Sequence, residues 1–231
     1  MNKPQKKHLD KININPESID KFAFERSIFS QGIYPIAGVD EAGRGPLAGP
    51  VVAAAVILPS DWYLNGLPSE LIGLNDSKQL TPAQREFFFN YLTSSPLIKW
   101  SVAKVEPEEI DSLNILNATH KAMLAAINNL SQKPSIALID GNPIKTIAIP
   151  QKAIIKGDSL SYSIAAASVI AKVTRDRIMM ELDKLYPDYG FAAHKGYGTP
   201  QHLNALKTLG PSPVHRKSFA PISNCQLNLF G

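Results

Sequence analysis

At 231 residues, with 44% hydrophobic residues and a formal net charge of +4, the chain is long enough to bury a core within one substantial domain. No uncharged apolar run approaches a membrane span, no apolar stretch follows the basic start Met1-Asn2-Lys3-Pro4-Gln5-Lys6-Lys7-His8 as in a secretory signal, and the lone Cys225 excludes an intramolecular disulfide or a cysteine-rich zinc site. The composition predicts a soluble cytoplasmic globule with a reduced thiol and only a mild lean towards polyanions.

Residues 1 to about 16 are polar, charged and rich in Asn and Pro, which predicts disorder. Residues 17–31 carry Ile19, Phe22, Phe24 and Phe29 and read as a helix leading into the domain. The run Ile36-Ala37-Gly38-Val39 reads as a buried strand, with Asp40-Glu41-Ala42-Gly43-Arg44-Gly45 directly after it. A second apolar strand is predicted over Pro50 to Leu58, then a loop to Leu80 that contains Asn75-Asp76-Ser77-Lys78. Thr81-Pro82-Ala83-Gln84 combines an N-cap, a first-turn proline and a glutamine three residues on, so a helix is expected to run to about Thr93. Leu97 to Val105 reads as a strand, and Glu106-Pro107-Glu108-Glu109 opens one long helix carrying Ile110, Leu113, Leu116, Met123, Ile127 and Leu130 at helical spacing. Short strands follow at Ser135 to Ile139, ending in Asp140-Gly141-Asn142, and at Ala153-Ile154-Ile155, ending in Lys156-Gly157-Asp158. A long helix from about Ser161 to Leu185 is apolar all round in its first half, so that half is expected to be buried. The alternation predicts an α/β fold with helices on a central sheet, and the hairpin-like early strands make that sheet mixed.

Asp40, Glu41, Asp140 and Asp158 all fall at the ends of apolar strands. Singly, an Asp in such a place is as a rule a turn former or a helix N-cap, and Asp158 suits the second role well. Together on one sheet edge they suit two divalent cations of the hard kind, Mg²⁺ or Mn²⁺, in the arrangement used for in-line displacement at phosphorus. An arginine between two glycines, Gly43-Arg44-Gly45, adds a phosphate contact on pliable backbone.

The residues Gly38-Val39-Asp40-Glu41-Ala42-Gly43-Arg44-Gly45-Pro46-Leu47-Ala48-Gly49-Pro50-Val51 resemble the signature of the ribonuclease HII family. So do Asn75-Asp76-Ser77-Lys78-Gln79-Leu80, Asp140-Gly141, Lys156-Gly157-Asp158, the segment Ser163 to Lys172, and His194-Lys195-Gly196-Tyr197-Gly198-Thr199, all in the family's order. The resemblance implies an RNase H-like fold with a C-terminal helical portion. It implies cleavage of RNA in RNA–DNA hybrids and incision 5′ to a ribonucleotide embedded in duplex DNA, leaving a 3′-hydroxyl and a 5′-phosphate. Asp40, Glu41, Asp140 and Asp158 match the family's catalytic metal-binding acids. Gly43, Arg44 and Gly45 match the element that reads the adjacent phosphate and the 2′-hydroxyl, the group that separates RNA from DNA. Tyr197 matches the tyrosine that stacks on the sugar following the ribonucleotide; otherwise it is an ordinary half-buried loop tyrosine, as Arg44 is otherwise a surface ion pair.

Lys78, Lys156, Lys172, Lys195 and Arg216 stand in or beside these motifs as phosphate contacts, against the plainer reading of each as a solvated charge. Ser168 either supports the site by hydrogen bonding or bonds back to its own helix. His194 and His215 read better as structural residues than as proton donors to the leaving oxygen. The tail residues Gln226, Leu227, Leu229 and Phe230 resemble a peptide that docks on the bacterial β sliding clamp, or else fold back on their own domain. The expected organisation is an N-terminal extension over 1–30, a catalytic domain over 31–219 and a flexible tail over 220–231. A type 3 ribonuclease H is disfavoured because only some 30 residues precede the first strand. A non-catalytic nucleic-acid-binding scaffold is disfavoured because four acids repel phosphate unless metal neutralises them.

Overall fold

A computed structural model describes residues 20–223; Cys225 and the clamp-like peptide at 226–230 lie outside the described residues. Helix α1 (Ala23–Phe29) leads into strand β1 (Ile36–Ala42), which turns back as β2 (Val51–Ile57). Helices α2 (Ser60–Asn65) and α3 (Pro82–Ser94) precede β3 (Lys99–Val105), and α4 (Pro107–Leu113) and α5 (Ile115–Asn128) precede β4 (Ile136–Asp140). Then come β5 (Gln151–Ile154), the single turn α6 (Gly157–Leu160), the long α7 (Tyr162–Leu185), and the C-terminal α8 (Phe191–His194) and α9 (Pro200–Leu209). Among the described residues no helix is long and apolar enough to cross a membrane.

The five strands pair in the order β3-β2-β1-β4-β5. β1 is antiparallel to β2 and β2 to β3, whereas β1–β4 and β4–β5 are parallel, so the sheet is mixed as the sequence predicts. Every residue of β2 is buried. Its alternate residues serve two cores: Ala54 and Val56 face the layer containing α7, while Val51, Ala53, Ala55 and Ile57 face the layer containing α5. The small residues let the helices come close. A Cβ on Gly38 would stand 2.1 Å from the backbone carbon of Ser163, so the first turn of α7 packs directly on β1. A third core, with Leu47, Met179, Phe191, Leu206 and Ile222, joins the C-terminal helices to the far end of α7.

Two local expectations change. The single helix expected after Glu106 is two, because Asn114 takes φ +68° and its side chain accepts a hydrogen bond from the N–H of Asn117, capping α5. Asp158 precedes the long helix, as expected, but does not cap it: it lies inside an extra one-turn helix, α6, entered through Lys156 at φ +57°, and Ser161 caps α7. At the N-terminus, Phe22 and Ile28 are buried in the same core as α7.

Candidate active site

The site begins with strand parity and register. β1 and β4 run parallel with Gly38 opposite Leu138, so Asp40 and Asp140, each two residues further on, lie side by side on the face that α7 covers. The chain then rises through β5 and turns at Lys156 into α6, whose first turn carries Asp158. Gly157 brings the backbone close at that turn: a Cβ there would stand 2.5 Å from Cδ1 of Ile164 and 3.3 Å from Oδ1 of Asp140. Its N–H donates to Asp140 Oδ1 at 2.7 Å, and the N–H of Glu41 donates to Asp40 Oδ1 at 2.7 Å, fixing both carboxylates.

Carboxylate oxygens of Asp40, Asp140 and Asp158 lie within 4.8 Å of one another. Glu41, the fourth expected acid, does not join this trio. Its carboxylate stands 3.5 Å from Arg44 Nη1, at the wall of the cavity beside the trio. Burial, then repulsion from Glu41 and Asp140, holds the Asp40 carboxyl well above the usual carboxylate range. Burial and Asp140 push Asp158 up to about 6. Lys78 Nζ stands 3.9 Å from Asp158, but its side chain is 80% exposed and screens little. Three crowded, desolvated carboxylates with no histidine or cysteine among them form an all-oxygen donor set, which fits a hard divalent cation.

Beside the trio is a cavity of about 270 Å³ lined by Glu41, by Gly43, Arg44 and Gly45, and by Lys78, Ser168, Lys172 and Tyr197. Seven of the eight residues expected to bind substrate therefore share one hollow; Lys156, exposed at the entrance to α6, does not line it. Ser168 donates to Ser77 Oγ at 2.8 Å and accepts from the N–H of Ser77, tying α7 to the segment that carries Lys78. Lys172 pairs with Asp176 at 2.7 Å. Tyr197 is 46% exposed, and a Cβ on Gly45 would stand 3.7 Å from its Cε1.

Arg216 corrects the sequence reading. It is no phosphate contact at the surface but fully buried, donating to the carbonyls of Gly43, Arg44 and Gly49. Arg175, not anticipated, is likewise buried and donates to the carbonyls of Ala48, Pro50 and Lys195. Desolvating a guanidinium costs several kcal/mol, so these bonds to carbonyls are what make the burial tolerable. Together the two side chains hold the loop from Gly43 to Pro50 from beneath. Arg175 was legible in part, since Ala171, Arg175 and Met179 recur every four residues on the buried stripe of α7. Lys195 is turned to the carbonyl of Ala192. His194 and His215 are buried, in agreement with a structural role.

A family model described as ribonuclease HII matches residues 37–222. A ribonuclease HII of Desulfitobacterium hafniense (strain Y51) is 54% identical over 198 residues, covering 86% of this chain and 73% of the relative. Among solved structures, the ribonuclease H2 from Pyrococcus horikoshii OT3 superposes with a TM-score of 0.70 at 30% identity, covering 84% of this chain and 98% of that one. The PCNA:RNase HII complex from Archaeoglobus fulgidus gives 0.61 at 27% identity, covering 79% and 94%.

Proposed function

The chain belongs to the ribonuclease HII family, and from that premise we propose that it cuts the RNA strand of RNA–DNA hybrids and incises duplex DNA 5′ to an embedded ribonucleotide, leaving 3′-hydroxyl and 5′-phosphate ends. Membership makes it a metal-dependent ribonuclease, a hydrolase of phosphodiester bonds. The observation that carries the finer reading is the convergence of Asp40, Asp140 and Asp158 beside a cavity floored by a glycine-flanked arginine.

Asp40, Asp140 and Asp158, with Glu41 beside them, would hold the cations, Mg²⁺ or Mn²⁺. Once bound, a pair of such ions supplies an activated water and stabilises the departing 3′-oxygen. The N–H groups of Gly157 and Glu41 keep the carboxylates of Asp140 and Asp40 aimed. Gly43 and Gly45 let the backbone approach the ribose, where the 2′-hydroxyl both donates and accepts, and Arg44 takes the neighbouring phosphate. Lys78 and Lys172 reach phosphates from the opposite wall and Ser168 steadies that wall, while Lys156 stands outside as a peripheral phosphate contact. Tyr197 packs on the sugar that follows the ribonucleotide.

Incubating the protein with duplex DNA carrying one ribonucleotide, with Mg²⁺, with Mn²⁺ or with chelator, tests this beside Asp140→Asn. Cutting should need the metal and should fall at least about a hundredfold in the variant, the loss of a few kcal/mol of charge stabilisation. Metal-independent cutting, or full activity of Asp140→Asn, would refute the mechanism.

The peptide Gln226-Leu227-Asn228-Leu229-Phe230 is proposed to dock the chain on a sliding clamp, its leucines and phenylalanine entering an apolar cleft. A related ribonuclease solved in complex with PCNA supports the idea by analogy. Replacing Leu229 and Phe230 by alanine should abolish retention on immobilised β clamp; undiminished retention rules the peptide out.

A further inference from the structure

Three histidines cluster beneath the segment that presents Tyr197. His202 is 0% exposed and His215 1%, their Nε2 atoms are 2.9 Å apart, and the ring of His194 lies parallel to that of His202 at 4.4 Å between centroids. Their proton positions follow from the backbone alone. His202 Nδ1 faces the carbonyl of Tyr197 at 2.9 Å, so it carries the hydrogen and its Nε2 is an acceptor. At the other end His215 Nδ1 faces the N–H of Ser212 at 2.9 Å, so it accepts and its Nε2 carries the hydrogen. Deduced from opposite ends, the two assignments agree: Ser212 donates to His215, His215 to His202, and His202 to Tyr197. His194 completes the set, its Nε2 donating to the carbonyl of Tyr189 and its Nδ1 accepting from the N–H of Gly196. The chain from Ser212 to Tyr197 needs the rings of His202 and His215 neutral, and burial lowers both. Burial, then His202, pushes His215 down to about 4, so it stays neutral at working pH.

The end of this chain is the backbone of a residue whose side chain is presented to the cleft. Among the described residues no hydrogen bond reaches the Tyr197 hydroxyl, so the ring is placed through its backbone. Its N–H donates to the carbonyl of His194, and its carbonyl accepts from Thr199 N–H as well as from His202. The residues before it, Lys195 and Gly196, both have positive φ, a course the chain keeps only while its polar groups are held. We propose that His202 and His215 are positioning residues for Tyr197, a proton-ordered pair that fixes the tyrosine ring beside the Gly43–Gly45 loop. This rests on the reading of Tyr197 as a contact to the sugar after the ribonucleotide.

Steady-state kinetics on duplex DNA with one ribonucleotide, together with thermal denaturation, test the proposal. His202→Phe should lower kcat/KM about tenfold, chiefly through KM, the scale of one aromatic packing contact. His202→Asn, whose amide nitrogen replaces Nδ1 and can still donate to the Tyr197 carbonyl, should recover most of that loss. His202→Gln, which places its amide at the Nε2 position, should not. In a Tyr197→Ala background none of the three should lower kcat/KM further, since the group they position is gone. Equal effects of Asn and Gln, or full additivity with Tyr197→Ala, would overturn the proposal. Where the His202→Phe chain does not fold, the Asn and Gln pair decides alone. If Tyr197→Ala itself leaves KM unchanged, the sugar contact fails; if it raises KM while His202→Gln does not, only the positioning pair fails.

Discussion

Gly43 and Gly45 flank the same arginine yet stand in different physical situations. Gly43 has φ +96°, and a Cβ there would lie 2.0 Å from Arg175 Nε and 2.9 Å from the carbonyl oxygen of Pro50. Arg175 has no room to yield, because three carbonyls hold its guanidinium. Gly45 meets only Tyr197, at an ordinary contact distance of 3.7 Å. Left-handed backbone costs about 1–2 kcal/mol for a residue with a Cβ, and overpacking adds about 1–3 kcal/mol. Gly43→Ala should therefore lose several kcal/mol, read as a lower urea midpoint. Gly45→Ala should stay within about 0.5 kcal/mol of the parent and raise KM for the ribonucleotide substrate instead. Equal midpoints for the two variants would contradict this account. The sequence marks both glycines alike; the positive φ at Gly43 and the arginine beneath it separate them. Arg216 was illegible for the same reason. A cation between His215 and Lys217 in a polar stretch carries no periodicity to say that it points inward.

At the scale of elements, long apolar segments were the most legible and short ones the least. β1, β2 and α7 follow from runs that have no alternative to burial, and the alanines and Gly38 foretell close helix–sheet packing. The break at Asn114 was hidden because apolar residues on both sides keep helical spacing across it; the signal present was an asparagine three residues before Asn117, the position of an N-cap. Leu116, one of the residues at helical spacing, is 39% exposed. The turn at α6 was equally hard to foresee, since it depends on Lys156 adopting φ +57° so that Gly157 can reach Asp140. Glu25 shows what long sequence separation conceals. It lies between Phe22 and Ile28 on the inner face of α1, fully buried, where it accepts from Ser161 Oγ at 2.6 Å and from the N–H of Ser163 at 3.2 Å. A carboxylate at the N-terminus of a 24-residue helix is favoured by the helix dipole, so α1 is tied to α7 by a bond that no local pattern announces.

Across the whole molecule, a net charge of +4 says little, whereas the placement of charge says more. Folding brings three aspartates from separate segments to one end of the sheet and sets Arg44, Lys78 and Lys172 around the cavity beside them. The acids suit cations, the basic residues suit phosphates, and both serve one substrate only if its backbone crosses this end. Sequence spacing could nominate the charges but not tell which are free to act. Lys78 is 80% exposed and 3.9 Å from its nearest acid, whereas Lys172 is held by Asp176 at 2.7 Å. A free lysine that meets a phosphate releases a counterion from the nucleic acid, and log Kobs falls with log salt by about 0.9 per phosphate contacted. A lysine already neutralised within the protein contributes less, because it must first give up its acid. In the Asp140→Asn background, affinity for an RNA–DNA hybrid measured from about 50 to 300 mM salt should show a slope shallower by about 1 for Lys78→Ala. For Lys172→Ala the slope should change by less than half as much, while affinity still drops because Asp176 is left unpaired facing phosphate. Equal changes of slope for the two variants would mean that the ion pair with Asp176 is already open in solution and that both lysines meet phosphate as free charges.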